Sequence, residues 1–437
     1  MSQLRSGRLL GGLNSNARVL ATADFRAPLR TSLALTRGTG APTFTRATTG
    51  TVVDHEGVIR TCLAGEARFT GARRVQNLWG IQSATLAVAA SNTMTLPAGN
   101  YIFSMGAGTG TATFSGTGGA TGTLAAGAGR VSVLKTISAG TFIVTGSVAT
   151  LIDLQVEDVT AQSVETVGEY VSLGVLSFPY HGTGVDGVKC FDTTLAGVPI
   201  SAATLKGYLP EPARTNHFKV SSAPATQTSA SLSTGTYTLW MDGTGSIAVA
   251  GATATITGGG TANSSTAITF TVTVAGTVTY TVTGSPARAQ SEDGQTRTSY
   301  IDVPSTAAVT RNADVLIYPS AGNISDTAGT SYVAFSAQGI TGSNQQILAR
   351  DTNGRFPYIN FFPDRTQLYD GTTQNNATAG PSFVNSTQKS AQSWGAGTKS
   401  ISYAGTAIAS SAYDGTQGTG AIAIGCNNAG TEHLGGN

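Results

Sequence analysis

Leu96-Pro-Ala-Gly99-Asn-Tyr101-Ile-Phe103-Ser-Met105 and Leu232-Ser-Thr-Gly235-Thr-Tyr237-Thr-Leu-Trp240-Met241 share one script, 232 against 96 being an offset of 136 residues. In each, a short turn ending in Gly leads into residues that alternate as a strand does. At the same offset Ala139-Gly140-Thr141 returns as Ala275-Gly276-Thr277, and both copies run on to Thr-Gly-Ser, at Thr145 to Ser147 and Thr283 to Ser285. Each closes on Gln-x-Glu-Asp, Gln155 to Asp158 and Gln290 to Asp293, followed by Tyr170 and Tyr300. Each is preceded by an Arg-to-Asn signature, Arg73 to Asn77 and Arg214 to Asn216. A Gly/Thr-rich composition gives chance Gly-Thr matches, but not Leu, Tyr, Met, Gln and Glu-Asp in one order. The chain contains a duplicated module.

Working outward, Thr111 to Ser115, Arg130 to Leu134 and Thr141 to Thr145 alternate between glycines at the spacing of a β-sandwich, about 8–12 residues. Helix-periodic segments are absent. Between the copies stands Gly207-Tyr208-Leu209-Pro210-Glu211-Pro212-Ala213-Arg214-Thr215-Asn216. Its two prolines fix φ twice and push Leu209 and Glu211 toward extended geometry, so it reads as a stiff joint fixing the angle between two similar sandwiches. Upstream, Val52 to Asp54 and Val58 to Arg60 read as two short strands closed by a His55-Glu56-Gly57 turn. The arginines around them alternate with apolar residues and are expected to fork onto backbone carbonyls or carboxylates such as Glu66. From about 315 onward, strands such as Tyr332 to Phe335, Ile347 to Arg350, Pro357 to Phe362, Lys399 to Tyr403 and Ala421 to Gly425 predict another sandwich, punctuated by Asp-Gly and Asp-Thr-Asn-Gly turns.

Only 11% of the 437 residues are charged and the net charge is +2, against about 25% charged residues in an ordinary soluble domain. So little self-repulsion fits either a surface covered by other copies of the chain or by neighbours, which is the expectation, or a plain polar surface of Thr and Ser hydroxyls. Cys62, Cys190 and Cys426 match no zinc spacing and no disulfide framework, and are expected as buried free thiols of a protein made in a reducing cytoplasm. The N-terminal residues hold no apolar core of signal-peptide length, and no run approaches the roughly 20 apolar residues of a membrane span, so no membrane insertion is expected. Arg5, Arg8, Arg18, Arg26, Arg30 and Arg37 face a single acid, Asp24, in the first 40 residues. That basic arm lacks the interleaved aromatics of a nucleic-acid binder, and no nucleic-acid partner is expected.

No constellation for chemistry stands out. The histidines His55, His181, His217 and His433 lack a nucleophile pattern. Adjacent carboxylates such as Glu157-Asp158 and Glu292-Asp293 face opposite sides of a strand, so they do not flank one bond as a glycosidase pair must. Their recurrence points to a structural role beside arginines or backbone amides. Asp351-Thr-Asn353-Gly354 lacks the remaining ligands of a calcium loop and reads as an Asx turn. The expectation is no catalytic residue, no cofactor and no metal.

Phe44-Thr-Arg46-Ala-Thr with Val53-Asp54 and Gly57-Val-Ile-Arg60 resembles the TFTRA…DxxGxI element of bacteriophage tail-fibre and related virion proteins. Pro212-Ala-Arg214-Thr-Asn216 is similar to their EPARTN element, and Thr298-Ser-Tyr300-Ile with Val309-Thr310-Arg311-Asn312-Ala-Asp314 to their TSYI…VTRxAD element. The last region resembles the concanavalin A-like, laminin-G-type jelly roll that often follows. Two departures are visible: the sequence ends at His433-Leu434-Gly435-Gly436-Asn437, where such jelly rolls run on into one more strand, and Ala72 to Asn77 lacks the Glu-Pro of the second signature.

The resemblance implies an all-β, elongated chain of tandem β-sandwich modules followed by a jelly-roll sandwich. Its expected parts are an N-terminal virion-attachment arm (1–41), a connector with short strands (42–83), sandwich module 1 (84–172), a connector with the Pro-Glu-Pro joint (173–216), sandwich module 2 (217–303) and the jelly roll (304–437). The implied function is that of a tail fibre, not an enzyme, docked on tail or neck proteins through Arg5, Arg8 and Arg18 and forming a homotrimer in the virion, assembled in the host cytoplasm. Tyr358, Tyr369 and Trp394 are the candidates for stacking on host-surface polysaccharide. The rival readings are a capsid decoration or head fibre, and a polysaccharide-degrading tailspike.

Overall fold

A computed structural model describes residues 25–80, 90–147, 151–174, 180–325, 327–336, 345–350, 359–362, 365–369, 374–378, 387–395, 397–403, 408–413, 420–427 and 433, with backbone only for 359–378. Among them the chain is all-β, built from antiparallel sheets, with one short 3-10 turn at Tyr180–Gly182 and no α-helix.

The first copy of the duplicated module is a sandwich. Ser91–Leu96, Gly140–Gly146, Thr111–Ser115 and Gly122–Ala125 form one sheet, and Val131–Ile137, Gly99–Met105 and Gln155–Asp158 the other. Between them lie Met94, Phe103, Met105, Phe114, Phe142 and Val144. Strand residues point alternately to core and solvent, so the Leu96–Met105 script fixes which face is buried. The second copy uses the same positions with longer strands. Gly235–Gly251 pairs with Val278–Asp293 from Tyr237↔Asp293 to Gly251↔Val278, with a register shift between Asp242 and Gly243. Phe218, Tyr237, Leu239, Met241, Phe270 and Tyr280 fill its core.

The C-terminal region is a two-sheet sandwich. Gly329–Phe335, Gln388–Gly395, Thr398–Tyr403 and Ala409–Ala412 make one sheet. The other runs Thr43–Thr45, Val315–Tyr318, Ile422–Ile424, Gln345–Ala349, Ile359–Phe362, Arg365–Tyr369 and Gln374–Thr378. Its edge strand comes from the far end of the chain: Thr43–Thr45 pairs with Val315–Ile317, and Phe44 enters the same core cluster as Tyr208, Leu316 and Tyr403. The predicted hairpin is present as Gly50–Val53 and Ile59–Cys62, closed by a turn in which Gly57 takes φ +80°. Asp54 organises that turn, accepting from the amides of Glu56 and Val58 (2.9 Å each) and from Arg60 Nε (2.7 Å).

Candidate functional site: a buried ionic junction

The hydrogen bonds make the duplication visible at the level of atoms. Asn77 Nδ2 donates to the carbonyls of Leu154 and Val171, and its Oδ1 accepts from the amides of Trp79 and Val156. Asn216 Nδ2 donates to the carbonyls of Ala289 and Ile301, and its Oδ1 accepts from Phe218 and Ser291. Gln155 Oε1 accepts from Val171 N as Gln290 Oε1 does from Ile301 N. Tyr101 and Tyr237 each donate a hydroxyl to a carbonyl in the turn four residues back, of Pro97 and Ser233. The Gln-x-Glu-Asp carboxylates also match: Glu157 accepts from Gly168 N, and Glu292 from Thr298 N (2.8 Å), the Thr298 hydroxyl and Trp240 Nε1. Burial pushes the pKa of both carboxyls up, against those hydrogen bonds.

Beyond this shared latch, the second copy is joined to the rest of the chain by a cluster of charges sealed from solvent. Arg46 Nη1 donates to Asp314 Oδ1 (2.7 Å), and Arg68 donates to Asp314 Oδ2 and to Glu211 Oε2 (2.7 Å). Arg311 Nη1 lies 3.0 Å from the same Glu211 oxygen. Three guanidiniums thus share two carboxylates, and every one of these side chains is buried. Charges removed from water need full hydrogen bonding, and most of the remaining donors find it. Arg46 reaches the carbonyls of Thr48 and Leu63, Arg68 that of Thr51, and Arg311 that of Pro212. Ser299 completes the set, donating its amide to Glu211 Oε1 (2.8 Å) and its hydroxyl to Oε2 (2.6 Å).

The Pro-Glu-Pro stretch runs through the middle of this cluster. Glu211 N donates to Asp314 Oδ2 (3.1 Å) and its carbonyl accepts from Asp314 N (3.0 Å). Leu209 N donates to the Arg68 carbonyl, and Gly207–Tyr208 pairs with Phe69–Thr70. Pro210 packs on Gly425, whose φ of +74° and missing Cβ let the ring sit directly on its backbone. His433 Nε2 donates to the Asp314 carbonyl (2.9 Å). The stretch therefore fastens three parts together: the 42–83 connector through Arg46 and Arg68, the second sandwich through Ser299 and Arg311, and the C-terminal sandwich through Asp314 and Gly425.

Electrostatics follow from that geometry. Burial alone would raise the Glu211 carboxyl, but Arg311, Arg68 and the Ser299 hydrogen bonds outweigh it and hold the pKa at about 2. Asp314 is likewise lowered, burial being outweighed by Arg68, Arg46 and Arg311. Burial lowers the His433 pKa, which keeps the imidazole neutral beside Arg214 and Arg311. Such a cluster fixes geometry and offers no chemistry: its carboxylates are saturated and no solvent reaches them.

The expected fork of an arginine onto Glu66 is made by Arg74, through Nε (2.7 Å) and Nη2 (2.9 Å). Cys62, Cys190 and Cys426 are free and buried, and burial pushes the Cys62 and Cys426 thiols up to about 12. Among the described residues no group of three or more His, Cys, Asp or Glu side chains could hold a metal. Arg5, Arg8, Arg18, Tyr358 and the Asp351 to Gly354 turn lie outside the described residues, and of Tyr369 only its strand is described. Trp394 sits in the core of the C-terminal sandwich at 7% exposure, its Nε1 donating to the Ser325 carbonyl (3.0 Å), so its ring presents no open face. What the sequence reading missed is the meeting of Arg46, Arg68, Glu211, Arg311 and Asp314; the only signal was that all but Arg68 fall in or beside the elements singled out above.

No protein-family profile and no curated relative matches the chain. Among solved structures it is similar to domains LG4-5 of the mouse laminin alpha1 chain, at 10% identity over 84% of each chain, with a TM-score of 0.22. At that level the likeness adds nothing to the strand pairings, which carry the all-β sandwich assignment by themselves.

Proposed function

We propose that this chain is a structural protein of a bacteriophage particle, a tail fibre attached through its N-terminal residues and presenting its later sandwiches to the host surface. The observation that carries the reading is the buried junction. Arg46, Glu211, Ser299, Arg311 and Asp314 belong to, or adjoin, the elements that resemble tail-fibre proteins, and they spend their charges on one another. A junction of this kind serves a protein that must hold modules at a fixed angle under load. The low charge of the chain suits a surface shared with other copies of itself in a homotrimer.

Gold-labelled antibody against the chain, imaged on whole particles, tests the proposal. Label at the tail is the expected result. Label over the capsid would replace it with a decoration or head fibre, and release of new reducing ends from host polysaccharide by the purified chain would replace it with a tailspike enzyme.

A further inference from the structure

The outer face of the second sandwich carries a ring of side chains only partly matched in the first. Trp240 lies opposite Gln290 and Asp242 opposite Arg288 on neighbouring strands, so all four share that face. Arg297 lies over the Trp240 ring, 4.0 Å from its centroid, and donates to Asp242 Oδ1 (3.2 Å). Tyr300 meets Trp240 edge-on at 6.2 Å, and Arg288 lies over Tyr300 at 5.7 Å. These contacts set Arg288, Tyr300, Trp240, Arg297 and Asp242 in a ring that is closed by the strand register of Asp242 and Arg288 and not by a side-chain contact between them.

The first copy shows what this position does when it is structural. There Ser104 lies opposite Gln155, where the second copy has Trp240. Arg130 lies over Tyr170 at 5.0 Å, as Arg288 does over Tyr300. But Arg130 is used up: Nη1 donates to the Asp153 carbonyl (3.1 Å) and Nη2 to Ser104 Oγ (2.7 Å). In the second copy Arg288 makes no hydrogen bond or ion pair among the described residues, and Arg297 makes one, to a carboxylate. That pair is exposed, 46% for Arg297 and 31% for Asp242, so it is weak and readily displaced. Asp302 is committed elsewhere, accepting from the Tyr300 hydroxyl (2.9 Å).

We infer that this ring is a binding patch for a saccharide bearing a carboxylate. The two aromatic rings support the guanidiniums from one side, and both carry N–H groups that can pair with a carboxylate. The incoming carboxylate takes the place of Asp242 on Arg297 and draws on Arg288 as well. Trp240 itself is 1% exposed, so it serves as support and reporter, not as the stacking surface. The inference rests on the surface-glycan part of the proposed function and adds the site and the ligand charge.

The test uses the full chain with oligogalacturonate as probe, a neutral malto-oligosaccharide of equal length and acetate as controls, and tryptophan fluorescence with calorimetry as readouts. Oligogalacturonate is expected to bind and to change the Trp240 signal, and Trp240→Phe to remove that change. Arg288→Ala with Arg297→Ala is expected to weaken binding by at least about tenfold. Asp242→Asn is expected to tighten it up to about fivefold, the scale of an exposed pair, a gain that misfolding cannot mimic. No binding of oligogalacturonate, equal binding of the neutral sugar, or binding indifferent to the arginine double variant overturns the inference. If the chain adsorbs to host cells equally with and without the two arginines, the patch fails and the proposed function stands. If the patch binds its probe but particle labelling places the chain on the capsid, the patch stands and the tail reading fails.

Discussion

The two sandwiches are built on one latch and anchored in different ways. Asn77 and Asn216 make the same four hydrogen bonds, and Gln155 and Gln290 accept from equivalent amides. Outside the latch the first sandwich is tied by the ion pair of Arg73 with Glu169, the latter 45% exposed, by the reach of Arg60 to the Thr160 carbonyl, and by Ser163 donating to Glu56. The second is set in a cluster of three arginines and two carboxylates from which water is excluded. A duplicated fold thus keeps the bonds that make each module fold, while the bonds that orient it diverge. The first copy is held partly by groups that water reaches, and the second by charges sealed from it.

The largest expected effect comes from breaking the cluster. Asp314→Ala leaves Arg46 and Arg68 buried without their shared carboxylate and is expected to cost about 3–5 kcal/mol, read from denaturant unfolding. Its counterpart in the first sandwich, Arg73→Ala, removes a pair whose carboxylate is half-exposed, along with the Thr193 and Phe191 contacts of the arginine, and should cost less, about 1–2 kcal/mol. Comparable losses would erase the contrast drawn above.

The latch gives the complementary expectation. Asn77→Ala and Asn216→Ala each strand four buried backbone groups, so each should lose about 2–4 kcal/mol. A loss at one site only would mean that the copies share geometry without sharing energetics.

Acid sharpens the comparison next. Glu211 is held at about 2 and Asp314 is also lowered, so their contribution is present above the unfolded carboxylate value, about 4. It is lost as pH falls from there through about 2. The raised pKa values of Glu157 and Glu292 act in the opposite sense in both copies. Acid unfolding followed by Trp79 and Trp240 fluorescence should therefore release the second sandwich from its neighbours over that window with no matching step in the first. His433 adds a smaller loss below about pH 6.5, because its pKa is lowered and folding favours the neutral ring. His433→Gln should remove that step.

A further test is steric. Gly425→Ala places a Cβ against Pro210 at a positive φ, and is expected to cost about 1–3 kcal/mol.

Much of the fold was legible in the sequence. Alternation and Gly-rich turns gave the strands of both modules, and the order of Leu, Tyr, Met, Gln and Glu-Asp gave the duplication, which the Asn and Gln hydrogen bonds reproduce. The Pro-Glu-Pro stretch was readable as rigid because proline acts locally on φ. Its partners were not readable, because Arg68, Arg46 and Asp314 are brought together across separations of up to 268 residues. Pairing of charges leaves no periodic trace in a sequence. The same limit explains why Thr43–Thr45 could not be foreseen at the edge of the C-terminal sheet, and why sugar stacking and core packing could not be told apart for Trp394. Burial of a single aromatic residue depends on which strand covers it, and its Nε1 partner, Ser325, is 69 residues away.

Calorimetry of the full chain tests the central claim, that the Glu211 junction welds the second sandwich to the C-terminal one, most directly. The wild type is expected to unfold these two parts in one transition, and Asp314→Ala to split that transition in two. Separate transitions in the wild type, or a single transition unchanged by the substitution, would contradict it.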